Sequence, residues 1–223
     1  MRHGLTQAQC ESECVVQIIA GTDTTGTTIR TALLFLLSTP RIHNRLMDEV
    51  RSAITNGLVS PSEPITYETA KKLPYLDAII YEALRFRPSA LYGHFKTVPA
   101  GGDTIHGVFL PEGTAVGHNL FGLMMSTDIF GSDADVFRPE RFLECTTDEK
   151  AEMKRTVELV FGSGRWMCAG KQVAFMQVYK VIFELMRSFD MQFVDAGRPW
   201  TEESAIFWQQ GDMRVRIAER EEL

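Results

Sequence analysis

The decapeptide Phe161 to Gly170, FGSGRWMCAG, places Cys168 in a run with three glycines and a tryptophan. Glycine loses more backbone freedom on folding than any other residue. A loop this rich in glycine therefore implies that something flat and bulky must approach the bare backbone. Cys168 stands just before an apolar-periodic stretch. The amides at the start of the helix predicted there would stabilise a thiolate. A sulfur in such a nest suits a haem iron better than zinc, because no second Cys or His lies at zinc-like spacing. The same residues also allow a plainer reading, a cysteine buried at a loop–helix junction.

Two other stretches carry chemistry by spacing. Glu82 and Arg85 are three residues apart and share a helix face, so they can pair. Their neighbours Ile79, Ile80, Ala83 and Leu84 are apolar. Such surroundings predict a partly buried pair that needs a third partner, with Arg141 of FRPERF the candidate. In Ala20-Gly21-Thr22-Asp23-Thr24-Thr25 a threonine hydroxyl can bond the i−4 carbonyl and widen the helix. Gly21 would leave room for a ligand or water, and an acid beside a threonine can relay protons. The alternative is a helix kink packed on the core. His3, His43, His94, His106 and His118 lack ligand spacing and read as surface or loop residues. Cys10 and Cys14, four apart, could make half a metal site but read as ordinary helix residues. The methionines read mostly as core filler.

The elements positioning these residues are mainly helical. Apolar periodicity predicts a helix from Thr6 to about Leu37, interrupted at AGTDTTGTT, where Gly21, Gly26 and five threonines are poor helix formers. Thr39-Pro40 opens a second helix to about Thr55. Thr66 caps a short one through Lys72, and Pro74 opens another through Arg87. From Ala90 to His118 the texture is β, with runs HFKTV, DTIHGVFL and GTAVGH between glycine turns. Leu143 to Glu149 reads as a polar loop. Ala169 to Phe189 is amphipathic, with Ala174, Val178, Val181, Ile182, Leu185 and Phe189 on one face. MQFV and MRVRIA read as two short strands.

Bulk composition agrees with one globular unit: 44% of the 223 residues are hydrophobic and 23% are charged. A net charge of −6 argues against nucleic acid, which needs a basic face. The four cysteines are too few and too irregular for a disulfide framework, so a reducing, intracellular setting is expected. No run reaches the ~18 apolar residues of a spanning helix. The opening residues lack a signal peptide's apolar segment.

Together the stretches resemble the cytochrome P450 haem-thiolate monooxygenases, and the resemblance covers essentially the whole chain. The family pattern Phe-x-x-Gly-x-Arg-x-Cys-x-Gly is matched by Phe161, Gly164, Cys168 and Gly170. Glu-x-x-Arg is matched by Glu82 and Arg85, Pro-Glu-Arg-Phe by Pro139 to Phe142, and the central-helix motif by Ala20 to Thr25. The texture is similar to fungal microsomal-type members of secondary metabolism. The resemblance implies a mainly α fold with a minor β portion, corresponding to the carboxy-terminal half of the family fold. Residues 1–223 would be a single partial domain without the amino-terminal half. It also implies haem b (iron protoporphyrin IX) with Cys168 as axial thiolate, and Phe161 packed near the sulfur. Thr24 would hold oxygen and its proton-delivering water, and Asp23 would feed protons. Glu82, Arg85 and Arg141 would form the structural triad under the haem. Gly21, Lys96, Phe161, Gly164, Arg165, Trp166, Cys168 and Gly170 would contact the cofactor. A small hydrophobic organic substrate, O2 and a flavoprotein reductase are the implied partners. Lys171 and Arg165 are candidates for docking the reductase. Full-length relatives would sit in the endoplasmic reticulum membrane; this chain carries no anchor, and the expectation for it is intracellular and soluble.

The departures are specific. Trp166 stands where the family has an arginine two residues before the cysteine, with Arg165 one earlier. Either Arg165 takes over a haem propionate or the Trp166 indole donates to it. Lys96 stands where relatives often have arginine, and it lacks the bidentate fork. Met124, Met125 and Ser126 replace a His-Arg-Asp cluster, which removes a polar cluster and implies either relaxed constraint or a shifted haem-edge environment, with Met124 and Met125 near that edge. The alternative to a working monooxygenase is a truncated fragment that retains the haem-ligand motifs but is catalytically inactive.

Overall fold

The computed structural model describes residues 4–91 and 93–221. His3 of the sequence reading lies outside them. The centre is α4 (Pro74–Phe86), in which every residue from Tyr75 to Arg85 is buried. A helix covered on all sides must be wrapped by others. Here α1 (Gln7–Ser38), α2 (Pro40–Thr55) and α8 (Lys171–Ser188) surround it. The remaining cover is α7 (Thr147–Glu158) and the 3-10 turn Pro139–Phe142. Pro74 opens α4 and supplies no N–H; Glu49 of α2 caps it instead, accepting from the amides of Tyr75 (2.7 Å) and Leu76 (2.9 Å). Small helices α3 (Tyr67–Ala70), α5 (Leu120–Met124) and α6 (Thr127–Phe130) complete the helical part.

The expected interruption of α1 does not occur. The helix is continuous, and its start carries a capping box in which Thr6 accepts from the Gln9 amide while the Gln9 side chain accepts from the Thr6 amide. Its threonines bond inward along the helix: Thr22 to Ile18 O and Thr24 to Ala20 O, both at 2.7 Å, and Thr28 to Thr24 O at 3.3 Å. Hydroxyls bonded back in this way are compatible with the helix but do not strengthen it. Gly26 costs about 1 kcal/mol in a helix interior. Burial of Thr27, Thr28, Thr31, Ala32, Leu34 and Leu36 in the following turns offsets it. The first half behaves differently: Val15, Val16, Ile18 and Ile19 are 55–67% exposed.

Among the described residues the β portion is four antiparallel strand pairs. β1 (Lys96–Thr97) pairs with β4 (Ala115–Val116), and β2 (Asp103–Ile105) with β3 (Val108–Leu110). β5 (Phe189–Phe193) pairs with β8 (Val215–Glu219) in the register Met191 to Ile217. β6 (Thr201–Ser204) pairs with β7 (Trp208–Gly211), a hairpin not expected from the sequence.

Three further boundaries differ from expectation. Helix α7 was not foreseen; it takes the last residues of the supposed polar loop as its first turn. Thr146 accepts from the Glu149 amide and Glu149 caps the Thr146 amide, a Thr-x-x-Glu signal legible in the sequence. Helix α3 ends at Ala70 rather than Lys72. On α8 the buried face is Phe175, Val178, Tyr179, Ile182, Phe183 and Met186, rotated from the expected one. Val181 is exposed, and Ala174 and Leu185 are only half-buried. The larger aromatic rings win the core side because each buries more apolar area, about 1.5–3 kcal/mol per fully buried large side chain.

Candidate functional site

Cys168 is presented by a loop held open between two helices. After α7 the chain makes a 3-10 turn at Leu159–Phe161, then passes through Gly162 (φ +73°) and Gly164 (φ +62°). Both lie in the left-handed region that glycine tolerates. A Cβ on Gly162 would also stand 3.2 Å from the Trp166 carbonyl oxygen. The Cys168 amide donates to Phe161 O at 2.7 Å and closes the loop. Gly170 then precedes α8. Residues 163 to 170 are all exposed, Cys168 included. The buried-cysteine reading is therefore overturned: among the described residues Cys168 stands exposed.

The charged and aromatic groups around it were named from the sequence, but their grouping comes from the fold. Trp166 is 66% exposed. The Arg165 guanidinium lies 4.9 Å from its ring centroid, and Lys96 Nζ of β1 lies 5.5 Å from the same ring. The tryptophan at this position thus gathers two cations at its ring. Phe161 turns inward and meets Phe175 with ring centroids 5.3 Å apart. Lys171 Nζ sits 5.8 Å from the Phe161 ring and 2.6 Å from Glu158 Oε2. Burial pushes the Glu158 carboxyl up, but its hydrogen bonds from Lys171 and Tyr81 outweigh that and hold it below the usual range.

On α1, Gly21 and Asp23 are exposed and Thr24 is half-buried. A Cβ on Gly21 would meet nothing within 4 Å. The part of the alternative reading that packs this turn on the core fails here: the turn is helical and open to solvent.

Glu82, Arg85 and Arg141 are brought together, and more deeply than expected. Glu82 and Arg85 are 0% exposed and Arg141 is 3% exposed. Arg85 forks onto Glu82 through Nε and Nη2, both at 2.8 Å. Arg141 Nε reaches both Glu82 oxygens at 3.1 Å. The remaining guanidinium protons go to the carbonyls of Phe130, Met124, Ala134, Val136 and Asp133. Sequence reasoning missed two members. The Arg138 amide donates to Glu82 Oε1 at 2.7 Å, and Asp133 accepts from Arg141 at 2.9 Å and from the Arg138 side chain. Desolvation raises the Asp133 carboxyl, but the hydrogen bonds and charges of Arg138 and Arg141 hold it below its ordinary value. Nothing in local spacing marks either residue.

Met124 fits the core-filler reading of the methionines. Met124 is fully buried in the core and gives its carbonyl to Arg85, while Met125 Sδ lies 3.9 Å from Arg85 Nη1. Two of the histidines read as loop residues stack on each other, His94 and His118, with centroids 5.5 Å apart. Among the described residues no helix is long and apolar enough to cross a membrane, and no three His, Cys, Asp or Glu side chains group as a metal site.

These features coincide with what the chain is similar to. The family model described as Cytochrome P450 matches residues 2–215. The chain is 49% identical over 220 residues to "Cytochrome P450 monooxygenase ABA1" of Pyricularia oryzae, covering 99% of this chain and 43% of that protein. It is 44% identical over 221 residues to "Cytochrome P450 monooxygenase aba1" of Botryotinia fuckeliana, again covering 99% and 43%. The chain thus spans less than half the length of these curated fungal relatives. Among solved structures, a cytochrome P450 (CYP102L1) superposes with a TM-score of 0.80 at 24% identity, covering 97% of this chain and 46% of that one. The mainly α fold with its minor β pairs is a portion of the cytochrome P450 fold, and the chain belongs to the cytochrome P450 family.

Proposed function

We propose that Cys168 is the axial thiolate of haem b in a monooxygenase that inserts one oxygen atom from O2 into a small hydrophobic organic substrate. The observation that carries it is the exposed Cys168 thiol beside an open glycine backbone, with Lys96, Arg165 and Trp166 gathered nearby. The residues present fit the group. A Cβ on Gly164 would meet nothing within 4 Å, so there is space for a flat ring, and the sulfur is a donor suited to haem iron. Lys96 and Arg165 supply positive charge for the propionates, with the Trp166 ring holding both cations. When bound, the haem supplies oxygen activation, favoured by electron density from the thiolate.

The remaining roles belong to the chain. Gly21 leaves space on α1. Thr24 Oγ1, its proton given to Ala20 O, accepts a hydrogen bond from a water; exposed Asp23 passes a proton from solvent to that water. Phe161 shields the inner side of the loop, and Gly162 and Gly170 keep it close to the start of α8. The triad of Glu82, Arg85 and Arg141 fixes α4 against the Pro139–Phe142 turn. Residues 1–223 act as one partial domain of the family fold. A flavoprotein reductase supplies electrons, docking its acidic surface near Arg165 and Lys171, and the whole protein resides at the endoplasmic reticulum membrane. The relatives' printed names speak of monooxygenases, which favours this class for the whole protein.

The other reading raised by the sequence is a fragment that keeps the motifs but is inactive; the exposed apolar residues Val15, Val16, Ile18 and Ile19 on α1 fit either reading. Reconstitution with haemin, reduction and CO addition separates the two. A thiolate-type Soret band lost in Cys168→Ser supports the first reading. Identical spectra for wild type and Cys168→Ser overturn it for this chain and leave the second.

A further inference from the structure

Two buried tyrosines next to the Cys168 loop have no part in that proposal. Tyr179 is 3% exposed and Tyr81 is 8% exposed. The Tyr179 hydroxyl donates to Asp77 Oδ1 at 2.5 Å, and the Tyr81 hydroxyl donates to Glu158 Oε1 at 2.6 Å. Lys154 Nζ holds Asp77 Oδ2 at 2.6 Å and lies 4.0 Å from the Tyr81 ring centroid.

Their rings form a continuous row. Phe161, whose carbonyl receives the Cys168 amide, meets Phe175 at 5.3 Å between centroids. Phe175 meets Tyr81 at 5.7 Å and Tyr179 at 6.2 Å. Tyr179 meets Tyr67 at 5.6 Å. Tyr67 is half-buried at the surface, with Lys71 Nζ 4.7 Å from its ring.

A buried phenol can give up an electron at modest cost only if its proton leaves at the same time, because a ring cation in a poorly solvated core is strongly disfavoured. Each tyrosine here already points its O–H bond at a carboxylate. Lys154 over the Tyr81 ring further disfavours a cationic ring, so electron and proton must leave together. A purely structural role would give these same hydrogen bonds a share in stability and no redox consequence.

We propose that Tyr81 and Tyr179, each bonded to a carboxylate, form a one-electron relay that draws oxidising equivalents away from Cys168 towards Tyr67 at the surface. In the elementary step one electron leaves a tyrosine and reduces the oxidant by one. The phenolic O–H bond breaks, its proton passes to Glu158 Oε1 or Asp77 Oδ1, and a neutral tyrosyl radical remains. In the protein the oxidant would be the metalloporphyrin that Cys168 would hold, so the physiological role rests on the thiolate-haem reading of Cys168. The relay chemistry itself does not, and a ruthenium(III) polypyridyl complex can serve as oxidant without haem.

The test uses the full chain with Cys10, Cys14 and Cys145 replaced by Ala and Trp166 by Phe, so that the indole is not the trap. A ruthenium(II) polypyridyl label on Cys168 is flashed with a cobalt(III) pentaammine quencher, and radicals are trapped by freezing for EPR. The expected result is a tyrosyl signal that falls at least five-fold in Tyr81→Phe/Tyr179→Phe. It falls similarly in Glu158→Gln/Asp77→Asn, which keeps both phenols but removes their proton acceptors. Moving the label to Cys14 on α1, with Cys168 replaced by Ala, abolishes it. An undiminished signal in either double variant, an equal signal from Cys14, or no tyrosyl signal from Cys168 overturns the relay. If the double phenylalanine variant does not fold, the carboxylate variants and the label position still decide. The two proposals fail separately: a thiolate-type CO spectrum without a tyrosyl signal removes only the relay. A tyrosyl signal without that spectrum removes only the haem reading.

Discussion

Arg141 places its Nε 3.1 Å from both carboxylate oxygens of Glu82, a residue on a different element and 59 positions earlier in the chain. That contact joins α4 to the Pro139–Phe142 turn in a place no water reaches. Breaking a buried pair by removing one partner costs about 3–5 kcal/mol, because the other charge stays behind uncompensated. Glu82→Gln keeps the shape but leaves Arg85 and Arg141 without their shared anion. Total stabilities run to roughly 5–15 kcal/mol, so cooperative urea unfolding of the variant should shift strongly or vanish. A midpoint and slope equal to wild type would mean that the carbonyls around the two arginines suffice.

His94 gives the chain a pH dependence of known sign. Burial, then the neighbouring His118, with Lys96 adding, pull its pKa below 6.5 against the hydrogen bond to the Val160 backbone. The neutral ring is therefore favoured in the folded state. Its contribution is complete above the unfolded value of 6.5 and is lost as pH falls through the lower folded value. Melting temperature should decline between pH 7 and pH 5, and less steeply in His94→Asn, a residue that accepts the positive φ of 48° found there. Parallel slopes for the two proteins would exclude His94 as the source.

Helix α7 depends on its cap. Thr146→Ala removes the acceptor for the Glu149 amide and should cost about 1 kcal/mol. Chemical denaturation would read that loss, and hydrogen exchange would find it concentrated in the first turn of α7. No change in either would show that packing of Met153 and Val157 alone holds the helix.

Lys96 and Arg165 share the Trp166 ring, so their removal should weaken haemin binding in comparable steps. An exposed ion pair contributes about 0.2–1 kcal/mol, which at its upper end is roughly a five-fold change in affinity for each of Lys96→Ala and Arg165→Ala. A haemin titration followed at the Soret band measures it. Unchanged affinity in the double variant would rule out both as propionate partners.

Much of this was legible before any coordinates. Chemistry that depends on neighbouring residues along the chain is written in the chain: the glycines around Cys168, the i, i+3 pair Glu82 and Arg85, the prolines opening α2 and α4, and the threonines able to bond back along α1. Where the sequence reading failed, a competing interaction had won. Poor helix formers at Gly21 and Gly26 did not break α1, because packing of the following turns outweighed their propensity. The α8 face rotated because Phe175, Tyr179 and Phe183 offered more area to bury than Ala174 or Val181.

The sequence alone therefore carried the motifs that resemble the family, the cysteine proposed as haem ligand, and helices α1 to α4 and α8, since each is written in residues close together in the chain; α5, α6 and α7 were not read from it. Only the tertiary structure decided which distant groups meet. It put Arg138 and Asp133 on the Glu82 cluster, gathered Lys96 and Arg165 on Trp166, left Cys168 open to solvent, and lined Tyr81, Tyr179 and Tyr67 behind Phe161. The physical reason is that such contacts join residues tens of positions apart, and burial and packing choose among them with no periodic trace in the chain.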